Sequence, residues 1–332
     1  MRIVVLAGGI GGARFLVGVR AWAAHHSVDG DAEVTAIVNV GDDVTLHGLR
    51  ICPDLDSVMY TLGGGADPER GWGRVGETWS VKEELAAYGA EPTWFGLGDK
   101  DVATHLVRTR MLDAGYPLSA VTEALCARWQ PGIRVIPASD DRVETHVVVA
   151  TPGPDGEMTE GAIHFQEWWI RHRGALAARR FVFVGAESAK PGAGVLDALA
   201  EADVVLIAPS NPVVSIAPIL AIPGIREAVA GGDAPVVGVS PIIGGAPVRG
   251  MADRCLEAID VECSAAGVGG LYAARTGGGL LDAWLVDTSD AATTVPQLTI
   301  RPTPLWMTDE VATEAMVSEA LIAAGVWEAG NA

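Results

Sequence analysis

The chain has 332 residues, of which 49% are hydrophobic, and its 42 acidic against 23 basic side chains give a formal net charge of -19. This length and hydrophobicity predict a folded globular protein with a large core, built as one large domain or two unequal ones. An acidic chain repels a nucleic-acid backbone, and the sequence has no basic stripe with interleaved aromatic residues. We therefore expect no binding to DNA or RNA.

The cysteines and the apolar segments exclude several further classes. The four cysteines form no C-x-x-C pair, which indicates neither a disulfide framework nor a zinc site with thiolate ligands. The apolar run at residues 3–7 is too short for a secretory signal. Prolines interrupt the apolar segment 204–225, so we expect no membrane span. These features predict a cytoplasmic protein.

Short β-branched runs alternate with longer helical patterns along the chain. The predicted buried strands cover residues 3–6, 34–38, 181–184, 204–208 and 236–239, and the predicted helices cover 13–24, 57–62, 81–88, 103–114, 118–129, 194–201 and 311–324. Buried strands separated by helices indicate parallel pairing. The predicted fold class is therefore α/β, a Rossmann-like, mostly parallel sheet flanked by helices.

The middle of the chain departs from this alternation. Residues 63–174 contain glycine-rich connectors, successive helices, an apparent hairpin over 133–150 and an aromatic run at 165–169. We predict that 63–174 form a smaller inserted subdomain, and that 1–62 and 175–332 form the nucleotide-binding core.

A glycine-rich loop follows the first predicted strand. Its glycines are Gly8, Gly9, Gly11 and Gly12. Glycines between a strand and a helix let backbone amides approach an anion at the helix N-terminus. Arg14 stands where the dinucleotide fingerprint needs glycine or alanine, and no Gly-Lys-Ser/Thr follows, which disfavours a nicotinamide-dependent reductase and a P-loop protein. The alternative is a tight strand-to-helix turn.

An acidic loop follows the second predicted strand. Asp42, Asp43, Asp54 and Asp56 fall within fifteen positions, and their carboxylates would repel one another unless a cation or donor groups neutralised them. This crowding predicts a site for a metal, a substrate hydroxyl or both. The alternative is that the first two solvate a turn and Asp56 caps a helix.

Three further loops carry candidate binding residues. Residues 94–101 place two aromatic residues before Lys100, which would bind a planar anionic ligand; the alternative, which the residues alone favour slightly, is that Asp101 caps the following helix. Ser210 and Asn211 follow a buried strand, where ligands bind in open α/β sheets, and the alternative is again a cap. The loop 240–250 would hold a base or phosphate, with Arg249 as its charged contact.

Six motifs in consistent order resemble the 2-phospho-L-lactate transferase family. They are Gly8-Gly9-Ile10-Gly11-Gly12, Asn39-Val40-Gly41-Asp42-Asp43, Pro53-Asp54-Leu55-Asp56, Gly98-Asp99-Lys100-Asp101, Ser210-Asn211-Pro212 and Ser240-Pro241-Ile242-Ile243-Gly244-Gly245. The resemblance implies a magnesium-dependent transferase of coenzyme F-420 biosynthesis. Such an enzyme moves a phospholactyl or phosphoenolpyruvyl group from a guanosine-diphospho donor to 7,8-didemethyl-8-hydroxy-5-deazariboflavin, releasing GMP.

The resemblance also implies roles for individual residues. Asp54 and Lys100 would contact the deazaflavin. The chemistry of the transfer, which needs a cation beside the phosphoryl group, makes Asp43 and Asp56 the predicted magnesium ligands, with Asp42 or Asp54 accepting the hydroxyl proton or binding the acceptor chain. The glycine loop with Ser210 and Asn211 would hold the diphosphate, and the loop containing Gly244 and Arg249 the guanosine.

Two questions stay open from the sequence. A nucleotide-sugar-binding regulatory protein without transfer chemistry is the alternative within the same superfamily, and Asp54, Asp56 and Lys100 favour the transferase. The Ala-, Arg- and Gly-rich, Lys-poor composition looks actinobacterial, and together with the resemblance to mycobacterial members it favours the phosphoenolpyruvyl donor, although the residues do not separate the two donors.

The oligomeric state is a separate prediction. Apolar residues of the last predicted helix favour a homodimer.

Overall fold

The computed structural model describes residues 1–26, 32–152 and 157–328. Within these residues the strands are β1 (Arg2–Ala7), β2 (Glu33–Val38), β3 (Val44–Leu46), β4 (Leu49–Ile51), β5 (Arg134–Pro137), β6 (Glu144–Pro152), β7 (Met158–His164), β8 (Ala178–Val184), β9 (Val204–Ile207), β10 (Val236–Val239), β11 (Ile242–Ile243), β12 (Ala246–Pro247), β13 (Ala283–Val286) and β14 (Thr299–Pro302).

The helices of the described residues lie mainly between these strands. They are α1 (Gly9–His26), α2 (Pro53–Leu62), α3 (Ser80–Ala87), α4 (Asp99–Asp113), α5 (Leu118–Trp129), α6 (Val195–Ala200), α7 (Ala217–Leu220), α8 (Ile225–Gly231), α9 (Ala252–Glu257), α10 (Ala265–Tyr272) and α11 (Glu310–Ala323). Short π-helical segments cover Glu167–Arg171 and Pro212–Ile216, and 3-10 turns cover Ala186–Ser188, Arg275–Gly277 and Thr288–Asp290.

A seven-stranded parallel sheet forms the centre of the molecule, in the order β14-β13-β10-β9-β1-β2-β5. Ile3 of β1 pairs with Val34 of β2 on one side and with Val204 of β9 on the other. Every residue of β9 and β10 is buried, as expected for parallel strands covered by helices on both faces. The predicted fold class is confirmed.

The parallel arrangement decides where the candidate loops lie. The glycine loop follows β1, the acidic loop follows β2, and the loops at Ser210 and Ser240 follow β9 and β10. Because these four strands run in the same direction, all four loops leave the sheet at its carboxyl edge. Helix α1 packs against α2 and α11, which fixes the helix that begins in the glycine loop against the sheet.

The structure corrects two strand predictions. Residues 181–184 do not join the parallel sheet: they belong to β8, which pairs antiparallel with β6 in the three-stranded sheet β7-β6-β8 and is partly exposed. The predicted hairpin over 133–150 is also wrong, because β5 pairs with β2 in the main sheet while β6 lies in the small one. An apolar run indicates a strand but does not specify its partner.

The predicted helices are present, but several begin earlier than predicted. Helix α1 begins at Gly9 rather than at 13, α2 at Pro53 rather than at 57, and α4 at Asp99 rather than at 103. The glycine loop, two of the acids and the Gly-Asp-Lys-Asp motif therefore lie in the first turns of helices. Strands β13 and β14 were not predicted.

The boundaries of the inserted subdomain stay a prediction. Strand β5 lies within 63–174 and extends the main sheet, whereas β8 lies outside that range and completes the small antiparallel sheet. No single helix of the described residues has the length and apolarity to cross a membrane. The segments Pro212–Leu220 and Ile225–Gly231, bent by 90°, meet that criterion only as a pair.

Candidate active site

A cavity of about 930 Å³ opens at the carboxyl edge of the parallel sheet. The first turn of α1, the acidic loop, the Ser210 loop and the Ser240 loop contribute to its wall, and aromatic residues of the segment 72–95 form another part. Single ligand pockets occupy about 300–1,000 Å³, so this volume is at the upper end of that range and admits a large ligand or two adjacent ones.

Asp42 and Asp54 form an acidic pair in the cavity wall without an arginine, lysine or histidine counterion among the described residues. Asp42 accepts a hydrogen bond from Gln166 Nε2 (3.3 Å), while its buried Oδ1 has no partner. Burial raises the pKa of Asp42 well above its usual range, and the carboxylates of Asp54 and Asp43 raise it further. An unneutralised buried acid of this kind is typical of a cation site.

Donor groups from two elements hold Asp54 in position. Asn39, directly after β2, donates from Nδ2 to Asp54 Oδ2 at 2.9 Å, and the backbone N–H of Gly9 also hydrogen-bonds the carboxylate. Burial nevertheless raises the pKa of Asp54 to about 6. Because it contacts Gly9, the first residue of α1, the Asp54 carboxylate lies at the positive end of that helix, where the dipole favours negative charge.

Asp43 is compensated by a cation of the protein itself. Its side chain is fully buried, and Oδ2 accepts a hydrogen bond of 3.0 Å from Arg50 Nη2. Burial raises the pKa of Asp43 to about 6, and the Arg50 guanidinium opposes this rise. The structure does not place Asp43 in the cavity wall.

Asp56 is also paired with an arginine. The guanidinium of Arg108, buried to 1% exposure, donates from Nη2 to Asp56 Oδ1 and lies 3.0 Å from His105 Nδ1. Because a guanidinium can only donate, Nδ1 of His105 accepts and its proton is on Nε2, which lies 3.4 Å from Asp101 Oδ2. Tyr60 donates to the other oxygen of Asp101 at 2.6 Å.

Asp56, Asp101 and His105 each bring one potential metal-ligating atom to within 4.8 Å of the others. A metal on His105 Nε2 would shift the imidazole proton to Nδ1, which would then face the Arg108 donor. Arg108 supplies positive charge to this cluster, while Asp56 Oδ2 and His105 Nε2 are buried without a hydrogen-bond partner among the described residues.

The glycines after β1 allow close packing of the start of α1. A Cβ at Gly8 would lie 2.6 Å from Asp54 Oδ2, and one at Gly11 would lie 2.6 Å from the carbonyl oxygen of Pro209. At Gly12 the added atom would lie 2.7 Å from Ser210 Oγ. Gly9 has a φ of +64°, a conformation that favours glycine.

The Ser210 loop is joined directly to this helix start. Ser210 Oγ accepts from the N–H of Gly8 at 3.2 Å and donates to its carbonyl oxygen at 2.7 Å. Asn211 caps the following π-helical segment by accepting from the N–H groups of Val213 and Val214. The cap predicted as an alternative for Asn211 is present, and both Ser210 and Asn211 still line the cavity.

Aromatic side chains cover a second part of the cavity wall. Trp72 and Trp79 meet edge to face, with ring centroids 6.1 Å apart, and Trp94 and Phe95 lie 5.8 Å apart in the same manner. All four line the cavity. Such rings offer flat apolar surfaces for a planar ligand.

Lys100 lies outside this wall: its Nζ donates to the carbonyl oxygen of Val75 at 3.1 Å. Gly244 is likewise outside the cavity, and its N–H donates to Asp290. Arg249 does line the cavity, although Nη2 donates to the carbonyl oxygen of Arg70 at 2.9 Å. Their predicted contacts with deazaflavin and guanosine stay predictions.

The structure therefore divides the predicted site residues. Those that line the cavity are Gly8, Gly9, Gly11, Asp42, Asp54, Asp56, Ser210, Asn211 and Arg249; those that do not are Gly12, Asp43, Lys100 and Gly244. No sequence motif marked Arg50, Arg108, His105 or Gln166 as part of the site. For His105, the sequence did offer one signal, which is its spacing of four residues from Asp101 on one helix.

The comparisons with known proteins identify the family of this chain. Residues 3–317 match the family model described as "2-phospho-L-lactate transferase CofD". The chain belongs to this family. Its membership supports a transferase role in the biosynthesis of coenzyme F-420.

Curated relatives are similar over nearly their whole length. A "phosphoenolpyruvate transferase" of Nocardia farcinica is 62% identical over 325 residues, covering 98% of this chain and 95% of the relative. Proteins of the same name from Mycolicibacterium smegmatis and Streptomyces griseus are 59% and 61% identical, with 98% and 97% of this chain and 99% and 98% of theirs covered.

A solved structure shares the fold at low identity. Protein BH3568 from Bacillus halodurans superposes with a TM-score of 0.58 at 20% identity, covering 97% of this chain and 99% of that one. This likeness concerns the fold alone.

Proposed function

We propose that this protein transfers a phosphoenolpyruvyl group from a guanosine-diphospho donor to the ribityl hydroxyl of 7,8-didemethyl-8-hydroxy-5-deazariboflavin and releases GMP. The observation that carries the proposal is the unneutralised pair Asp42 and Asp54 in the wall of a cavity of about 930 Å³. The family supports the transferase role, and the names of the relatives favour the phosphoenolpyruvyl over the phospholactyl donor.

Magnesium fits Asp42 and Asp54 better than the predicted ligands Asp43 and Asp56. A buried carboxylate oxygen without a hydrogen-bond partner is present in Asp42, Asp43 and Asp56 alike, but no side-chain cation of the described residues pairs with Asp42 or Asp54. Arg50 and Arg108 already neutralise Asp43 and Asp56. When bound, magnesium would supply positive charge to the phosphoryl oxygens during transfer. We propose Asp42 and Asp54 as its protein ligands.

The transfer forms a bond between the acceptor hydroxyl oxygen and the phosphorus distal to guanosine. The bond from that phosphorus to the bridging oxygen breaks, and GMP leaves with the electron pair. The hydroxyl proton passes to a carboxylate of the acidic pair. A carboxylate oxygen of this pair that magnesium would leave free would accept it.

The walls of the cavity suggest where each substrate lies. Because Trp72 and Trp79 meet edge to face, one of the two rings, Trp72, would stack on the planar deazaflavin. The side formed by Ser210 and by the loop of Arg249 would hold the guanosine-linked phosphates, because it contains polar groups and the start of α1. This arrangement leaves the acidic pair between the two substrates. A cytoplasmic homodimer is part of the same proposal.

Mass spectrometry of the product tests the proposal directly. The full-length protein is incubated with the deazaflavin, magnesium and each guanylyl donor in turn. A product with the mass of the phosphoenolpyruvyl adduct, together with GMP, is expected, and it is two hydrogens lighter than the lactyl adduct. Formation of the lactyl adduct alone would reverse the donor assignment. Absence of both adducts and of GMP would contradict the proposed function.

A further inference from the structure

Arg14 is a cation of the cavity wall to which the proposed reaction assigns no role. It lies in the second turn of α1, its side chain is exposed, and it lines the cavity. Within the parts of the chain that the structure describes, it forms no hydrogen bond, ion pair or ring contact. In the sequence it is the residue that breaks the dinucleotide fingerprint.

The other cations that line the cavity all have partners in the protein. Arg70 forms an ion pair of 2.9 Å with Asp67, and Arg249 donates to the carbonyl oxygen of Arg70. Lys82 Nζ lies 5.9 Å from the centroid of a tryptophan ring. Among the described lining residues, Arg14 is therefore the cation left free to bind a ligand.

The direction of helical side chains places this guanidinium near the start of α1. Side chains of a helix lean toward its N-terminus, so a residue covers the surface three and four positions earlier. For Arg14 these positions are Gly11 and Ile10, and both line the cavity. The side chain thus extends toward the part of the wall formed by the glycine loop.

Two backbone N–H groups at this point already have partners within the protein. The N–H of Gly8 donates to Ser210 Oγ, and the N–H of Gly9 hydrogen-bonds Asp54. The magnesium proposed for Asp42 and Asp54 would neutralise these two carboxylates and leave part of the diphosphate charge uncompensated. A side-chain cation at the helix start would neutralise that remaining charge and donate hydrogen bonds to the phosphate oxygens.

We propose that Arg14 binds the oxygens of the phosphoryl group that is transferred, an inference that rests on the proposed function. As the acceptor oxygen bonds to this phosphorus and GMP departs, negative charge is spread over the non-bridging oxygens. A guanidinium donates two parallel hydrogen bonds to such oxygens and stabilises the charge. Arg14 is thereby assigned as a catalytic residue of the transfer.

Binding of GDP and GMP tests this assignment without turnover. GDP carries a phosphoryl group at the position of the transferred one, whereas GMP lacks it. By isothermal titration calorimetry in magnesium buffer, we expect Arg14→Gln to weaken GDP binding by about tenfold or more, the effect of losing a charged hydrogen bond. GMP binding should change by less than about twofold, and Arg14→Lys should lie between Arg14→Gln and the wild type.

A matched control is Arg226→Gln, which removes an exposed helical arginine outside the cavity and should leave both affinities unchanged. Thermal unfolding establishes that each variant is folded. Equal losses for GDP and GMP, or none for either, would overturn the assignment. If the wild type forms no transfer product but Arg14→Gln still weakens GDP selectively, the proposed function fails while the assignment of Arg14 as a phosphoryl-binding residue holds.

Discussion

Arg50 donates a hydrogen bond of 3.0 Å to the buried carboxylate of Asp43, whereas Asp42, the preceding residue, faces the cavity with no cationic partner among the described residues. Two adjacent acids therefore differ in charge compensation. Removing the charge of Asp42 should therefore stabilise the protein more than removing the charge of Asp43.

Arg50 offsets part of the burial cost of the Asp43 carboxylate and loses its counterion when that charge is removed, so Asp43→Asn is expected to raise the free energy of unfolding at pH 8 by less than Asp42→Asn does, with transfer retained. Urea denaturation of the metal-free protein measures this change. Asp253→Asn, at an exposed position, is the control and should have little effect. A variant with wild-type stability and no turnover would instead favour the sequence-based assignment of Asp43 to magnesium.

Asp42→Asn is expected to raise the free energy of unfolding by about 1–3 kcal/mol at pH 8 while abolishing transfer. The side-chain oxygen of the new asparagine still accepts the hydrogen bond from Gln166. The substitution removes a buried carboxyl whose pKa is raised by burial. A raised native pKa means that the wild type loses stability as pH rises through it. The stability gain of the variant should therefore shrink as the pH falls toward the unfolded pKa of aspartate. A gain that grows as the pH falls would contradict the assigned environment.

Gly8→Ala is expected to destabilise the protein by about 1–3 kcal/mol and to reduce transfer, since the added Cβ would lie 2.6 Å from Asp54 Oδ2 and 2.8 Å from Ser215 Cβ. Thermal unfolding and the product assay measure the two effects. The control is Gly270→Ala, where the added Cβ meets no atom within 4 Å in α10, and it should be neutral or stabilising. Equal effects of both variants would show that the close contacts around Gly8 do not cause the loss of stability and transfer.

Trp72→Leu is expected to raise the KM for the deazaflavin about tenfold with little change in the KM for the donor, because it removes one ring of the aromatic wall. Steady-state kinetics with each substrate varied in turn measures the split. Trp306→Leu removes an exposed tryptophan outside the cavity and is the matched control. If the donor KM rises instead, the two substrates occupy the opposite sides of the cavity.

The sequence predicted most accurately the features that depend on local residue patterns. The β-branched runs of β1, β2, β9 and β10 predicted buried parallel strands, and the glycine, acidic and Ser-Asn-Pro motifs marked the loops that follow them. Helix starts were less accurate, because glycine and proline at Gly9 and Pro53 are usually associated with turns, yet both residues lie in first helical turns. The partner of β8 was missed because pairing depends on distant residues.

The sequence by itself determined the fold class, the family resemblance and a crowded set of acids after the second strand. Only the tertiary structure decided how those acids differ, since Arg50 and Arg108 reach Asp43 and Asp56 and leave Asp42 and Asp54 without a cation. The physical reason is that a carboxylate's role depends on its burial and on the charges around it. Those charges come from residues such as Arg108, 52 positions from Asp56, which no local pattern connects to it.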